Sequence, residues 1–82
     1  MTDLAFKKAI GLALRLRRKE LHLKLREVSH KSNVSVSFLS QIEKNGRSLS
    51  IAALYRLVVA LELTLSGFFV GIESVNTKKE RL

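Results

Sequence analysis

The 82-residue sequence contains no Cys, no Pro and no Trp, and a single Tyr. Each absence narrows what the chain can be. Without Cys there are no disulfides and no thiolate zinc site to reinforce a small core. Without Pro, and with only four Gly, little interrupts a helix, so helix is expected to dominate. One Tyr and no Trp leave no aromatic platform for stacking unpaired bases, which argues against RNA as the partner. No run approaches the roughly 20 apolar residues of a membrane span, and the N-terminus lacks the apolar stretch of a signal peptide. The expectation is a cytoplasmic protein without a membrane partner. P-loop, dinucleotide and HExxH patterns are missing. His22 and His30 have no Cys beside them and few carboxylates, and the Ser residues read as helix caps or small packing residues. The chain is therefore expected to be no enzyme and to need no cofactor or metal.

Acidic residues are also scarce. Seven Asp and Glu face fifteen Lys and Arg, a net charge of +8. Nine of the cations, Lys7, Lys8, Arg15, Arg17, Arg18, Lys19, Lys24, Arg26 and Lys31, fall within the first 31 residues. This balance suits a polyanionic partner, although net charge alone fits a solvated cationic surface equally well. Apolar residues make up 46% of the chain. That is enough for one dense core, which in a domain this small gains from a partner copy.

Hydrophobic spacing divides the chain into five short helices, with no internal repeat. Leu4 to Leu21 carries apolar residues at Leu4, Ile10, Leu14 and Leu21. His22 and Leu23 read as a connection. Leu25 to Ser32 follows, with Leu25 and Val28 on one side. Asn33 tolerates positive φ, and Ser35 can cap the next helix, expected over Val36 to Glu43 with Leu39 and Ile42 inward. Asn45-Gly46 ends it. Ser50 caps a fourth helix from Ile51 to Leu61, with Ile51, Leu54, Leu57, Val58 and Leu61 at core spacing. A last short helix spans Ser66 to Val70. The expected organisation is one domain, residues 1–73, and a polar, frayed tail, residues 74–82.

The segment Leu25–Glu43 has what a helix-turn-helix needs: a small residue in the first helix (Ser29), a turn residue that accepts the left-handed conformation (Asn33), and apolar anchors for the second helix (Val34, Leu39, Ile42). Over about Ile10–Phe69 the sequence resembles the phage repressor/Cro (XRE) helix-turn-helix family. The matching pieces are Ile10-Gly11, Leu14-Arg15 and Arg18, then LREVS at Leu25–Ser29 and NVSVSFLSQIEKN at Asn33–Asn45. Leu54, Leu57, Ala60-Leu61, Leu65 and Phe68-Phe69 complete the match. The segment NGRSLSIAALYRLVVALEL, closing on the Phe pair, is most similar to the controller proteins of restriction–modification systems. Several positions depart from the family pattern: Leu25 for a phosphate-binding Gln, Asn33 for the turn Gly, Asn45 for a Gly, Leu49 for a common Pro, and Val36 where a polar base reader is frequent.

The resemblance implies a compact all-α, five-helix repressor/Cro-like domain whose third helix enters the major groove of double-stranded DNA. Helical spacing then projects Val36, Ser37, Ser40 and Gln41 toward base edges. Gln41 can pair with adenine bidentately and Val36 can pack on a thymine methyl. Phe38 is open between packing against the second helix and touching the DNA. Phosphate contacts are expected from Lys24, Arg26, Lys44 and Arg47, from the backbone amide of Leu25, and from the amides at the start of the fourth helix. The family pairs the positions of Arg18 and Glu43, an ion pair that orients the recognition helix. It also acts as symmetric dimers on palindromic sites. Val59, Leu63, Leu65, Phe68 and Phe69 supply surplus apolar area for such a homodimer. The function implied is transcriptional regulation without a built-in small-molecule effector. An antitoxin, or an adaptor that uses the scaffold to bind protein, is the alternative.

Overall fold

The computed structural model describes the backbone of residues 1–80 and the side chains of residues 1–73. Five helices follow one another: α1 (Asp3–Glu20), α2 (Leu25–Ser32), α3 (Val36–Asn45), α4 (Ile51–Ala60) and α5 (Leu65–Glu80). Four of them begin at hydroxyl caps. Thr2, Ser35, Ser50 and Thr64 accept from the amides of Ala5, Phe38, Ala53 and Gly67 at 3.1, 3.1, 3.0 and 3.1 Å, each satisfying a donor that the first helical turn leaves without a partner.

The helix ends use the left-handed conformation. Asn33 (φ 60°) turns α2 toward α3, as Asn does at less steric cost than most residues. The endings of α1 and α4 are the same turn built twice. His22 (φ 57°) and Glu62 (φ 61°) lie within the matching segments Leu21-His22-Leu23 and Leu61-Glu62-Leu63. The Leu23 amide donates to the Arg18 carbonyl at 3.0 Å and the Leu63 amide to the Val58 carbonyl at 2.9 Å. These are the long closing bonds of a Schellman ending. The repeat is therefore structural, confined to the six-residue turn that each closing bond spans.

The core joins Ile10 and Leu14 of α1, Val28 of α2, Leu39 and Ile42 of α3, Leu54, Leu57 and Val58 of α4, and Phe68 and Ile72 of α5. Buried Ser32 costs little, because its hydroxyl donates to the Val28 carbonyl at 2.7 Å and accepts from the Val34 amide at 3.3 Å. Two expectations need correction. Ile51 is exposed rather than a core residue, since it sits in the first turn of its helix. The last helix is not Ser66–Val70 but runs to Glu80, because nothing after Gly71 interrupts it. The expected tail is thus helical in its backbone to Glu80, and residues 81 and 82 lie outside the described part.

Candidate nucleic-acid interface

Helix α3 is fixed from two sides. Leu39 and Ile42 anchor it in the core, and α1 crosses it at Gly11, where a Cβ would overlap the Ile42 carbonyl oxygen. Only Gly permits that approach. At 100° per residue, Ser37, Ser40, Gln41 and Lys44 fall on the side away from Leu39 and Ile42. Ser37, Gln41 and Lys44 are exposed, Ser40 is half-buried, and Val36 is exposed at the shoulder of the helix. Gln41 Oε1 accepts from Asn45 Nδ2 at 3.0 Å. One lone pair of that oxygen and both Nε2 hydrogens stay available, which is what bidentate pairing with adenine uses. The composition of the sequence did not single out Asn45 for this part. Phe38 is half-buried against the core, so it packs.

The orientation of α3 is also held electrostatically. Arg18 meets Glu43 as a fork on a fork: Nε to Oε2 and Nη2 to Oε1, both 2.8 Å. Its remaining amino group, Nη1, donates to the Leu23 carbonyl at 2.9 Å. The two side chains are 12% and 7% exposed. The hydrogen bond to Glu43 raises the Arg18 pKa above its ordinary value, burial opposes it, and the Glu43 charge adds to the rise. Arg18 therefore stays charged. One end of the pair is on α1 and the other near the C-terminus of α3, so it ties the recognition helix to the rest of the molecule.

Lys24, Arg26, Lys44 and Arg47 are all exposed. Lys24 has no acceptor to cap α2, so the Leu25 and Arg26 amides have no side-chain acceptor among the described residues. These two amides sit at the positive end of the helix, where an anion is favoured. Glu27 is the opposing element, its Oε1 accepting from the Lys24 amide at 2.9 Å. Arg47 follows Gly46, whose φ is 69°. A Cβ on Gly46 would come within 2.9–3.1 Å of Lys7 and Lys8. The α3–α4 loop thus packs against α1 at Lys7 and Lys8, a contact that the linear sequence does not indicate.

Two arginines have roles the sequence reading missed. Arg17 Nε donates to the Leu61 carbonyl and Arg56 Nε to the Ser32 carbonyl, each at 3.0 Å. They satisfy carbonyls at or just past the ends of α4 and α2, where the dipole favours a cation.

On the surface expected to pair two copies, Val59 is 52% exposed. Tyr55 and Ile51, one and two turns earlier, are exposed as well, giving α4 an apolar stripe. Leu63 and Leu65 are half-buried. Phe68 is a correction: at 5% exposure it belongs to the core and adds nothing to the α4 stripe, because α5 turns that side toward the other helices. Phe69 is half-buried and stacks on Phe6 of the same chain, with ring centroids 6.5 Å apart.

Over residues 14–68 the sequence matches the helix-turn-helix family model, and the chain belongs to this family, of the repressor/Cro type. No curated protein sequence matches it. Among solved structures it is similar to a point mutant of the restriction–modification controller protein C.Esp1396I. The identity is 25%, the TM-score 0.83, and the match covers 94% of this chain and 97% of that one. A second mutant of the same protein, bound to its highest-affinity operator site, matches at 26% identity with a TM-score of 0.78, over 83% and 90% of the two chains. The clp gene regulator ClgR of Corynebacterium glutamicum matches at 26% identity and 0.78, over 92% and 83%.

Proposed function

We propose that the chain is a sequence-specific DNA-binding transcriptional regulator that works as a homodimer on a palindromic operator. The observation that carries the reading is the outward face of α3. It is polar at Ser37, Ser40 and Gln41, held by the Arg18–Glu43 fork, and flanked by Lys44, Arg47 and the open start of α2. Ser37 and Gln41 read base edges, Ser40 lies beside them and Val36 meets a thymine methyl. Lys24, Arg26, Lys44, Arg47 and the Leu25 amide position the backbone of the duplex. The likeness to an operator-bound controller protein and to a gene regulator supports the same reading. Likeness over nearly the whole of both chains favours a restriction–modification controller as the particular kind.

Two copies meet through the α4 stripe, with Val59 at its centre, Tyr55 and Ile51 along it and Leu63 and Leu65 at its edge. A two-fold axis there would set the α3 helices about 34 Å apart, one turn of duplex. Residues 1–73 form the binding domain. The test is selection from a random duplex pool at physiological salt. A palindromic motif bound at least about 10³-fold more tightly than random duplex is the expected result. Selection that converges on no motif refutes the reading.

A further inference from the structure

Helix α1 has a face that the DNA-binding reading does not use. Leu12 and Leu16 are 54% and 56% exposed, and Met1 is as open. They line one wall of a groove of about 610 Å³ whose small-residue floor is Ala5, Ala9 and Ala13, and whose other wall is Phe68, Gly71 and Ile72 of α5. From Met1 to Leu16 the groove runs about 22 Å at 1.5 Å per residue. The edge away from α5 is uniformly basic. Lys8, Arg15 and Lys19 are exposed and lie within about 60° of Leu12 at 100° per residue. Of the two carboxylates of α1, Asp3 falls on the opposite side of the helix and Glu20 lies one turn beyond Leu16, toward the alanine floor rather than on that edge and 3.9 Å from Arg17.

We propose that this groove is a docking site for an acidic amphipathic helix of a partner protein, with its apolar stripe on Leu12, Leu16 and the alanine floor and its carboxylates along Lys8, Arg15 and Lys19. The charge pattern selects the occupant. A second copy of this chain would bring a like-charged edge against its own. The groove is concave and has two apolar walls, which fits the rounded side of a helix laid in along its length. A flat lipid surface would reach Leu12 and Leu16 and leave the recessed floor of Ala5, Ala9 and Ala13 uncovered. The site is on α1 and α5, apart from α3 and from the exposed stripe of α4, so it leaves the duplex-binding face free.

The probe is a synthetic helical peptide of roughly 20 residues, long enough to hold some helix alone. It carries Leu at i, i+3, i+4 and i+7 and Glu on its remaining faces; a twin carries Lys in place of Glu. Binding is read by chemical-shift changes in the labelled full chain and by peptide anisotropy. The Glu peptide should bind, shift α1 and α5 resonances, and bind at least tenfold more tightly than the Lys twin. Leu12→Glu with Leu16→Glu, both exposed, should weaken it at least tenfold and leave thermal stability and operator affinity unchanged. Lys8→Glu, Arg15→Glu and Lys19→Glu together should reverse the preference toward the Lys twin. Equal binding of both peptides, or binding indifferent to the Leu substitutions, overturns the proposal. So does loss of self-association in the Leu variant, which would make the groove an interface between copies. Capture of the wild type by phosphatidylglycerol vesicles in a Leu12-dependent and Leu16-dependent manner overturns it in favour of a lipid surface. Operator affinity, read in parallel, separates failure here from failure of the regulatory reading.

Discussion

Replacing Arg18 with Met removes the charged half of the fork and keeps most of its volume. What remains is Glu43, 7% exposed, with two carboxylate oxygens that have each lost a 2.8 Å partner, and a Leu23 carbonyl that has lost a 2.9 Å donor. Breaking a buried pair from one side costs about 3–5 kcal/mol, because the surviving charge stays desolvated. In a domain whose whole stability is of the order of 5–15 kcal/mol, and at about 4–8 °C of Tm per kcal/mol, the midpoint should fall by at least roughly 12 °C. Glu43→Leu should cost a similar amount by stranding the guanidinium. The double variant Arg18→Met/Glu43→Leu leaves no stranded charge. It should recover most of the loss and can match or exceed the wild type. Its operator affinity should still fall, because packing alone then orients the end of α3. The assay is thermal and urea unfolding of all four forms, read as a double-mutant cycle. If the two single losses simply add, the groups do not couple and the orienting role is wrong. A coupled pair with unchanged operator affinity in the double variant would leave a structural bridge and remove it from recognition.

Three further outcomes follow from the geometry. Gln41→Ala should cost about 1–3 kcal/mol on operator and little on random duplex, whereas Arg47→Ala should weaken both and make the salt slope shallower by about one phosphate; titrations at several salt concentrations separate the two. Gly11→Ala places a Cβ against the Ile42 carbonyl, so the α1–α3 crossing must open, and a loss of about 1–3 kcal/mol is expected in urea unfolding; a neutral result would show that the helices separate freely. Val59→Glu puts a charge at the centre of the exposed α4 stripe and should give folded monomers in sedimentation that keep weak nonspecific DNA binding, while a dimer undisturbed by it would place the interface elsewhere.

The helix-turn-helix unit was legible because its punctuation is chemical. Asn33 marks a left-handed turn, Ser35 a cap, and Gly46 a stop, so α2 falls at Leu25–Ser32 as expected and α3 extends only two residues past its expected end. Ile51 was misread for a different reason. Periodicity gives the angle of a side chain about the helix axis but not how far the neighbouring helices reach along it, and Ile51 lies at the overhanging start of α4. The end of α5 carries no stop signal at all. The turns at His22 and Glu62 were not legible as a pair, since neither residue favours positive φ and the matching Leu residues are common everywhere. Phe68 and Phe69 show what a count of apolar residues cannot resolve: adjacent rings of one helix, one in the core and the other stacked across to Phe6. Arg17 and Arg56 were invisible for the converse reason, because only the tertiary path decides which carbonyl a long side chain reaches.

The arginines that bind within the fold set apart two quantities usually taken as one. Arg17, Arg18 and Arg56 point at carbonyls and a carboxylate of their own chain. Retention on a cation-exchange resin follows the formal charge of +8, to which these three contribute in full. Binding to a duplex releases counterions only where a cation meets a phosphate, about 0.9 per contact, and guanidinium groups already engaged inside the protein release none. Elution from the resin would therefore overstate how steeply operator binding falls with salt. A variant of identical composition, with the same cations moved outward, would elute with the wild type and yet titrate more steeply against DNA.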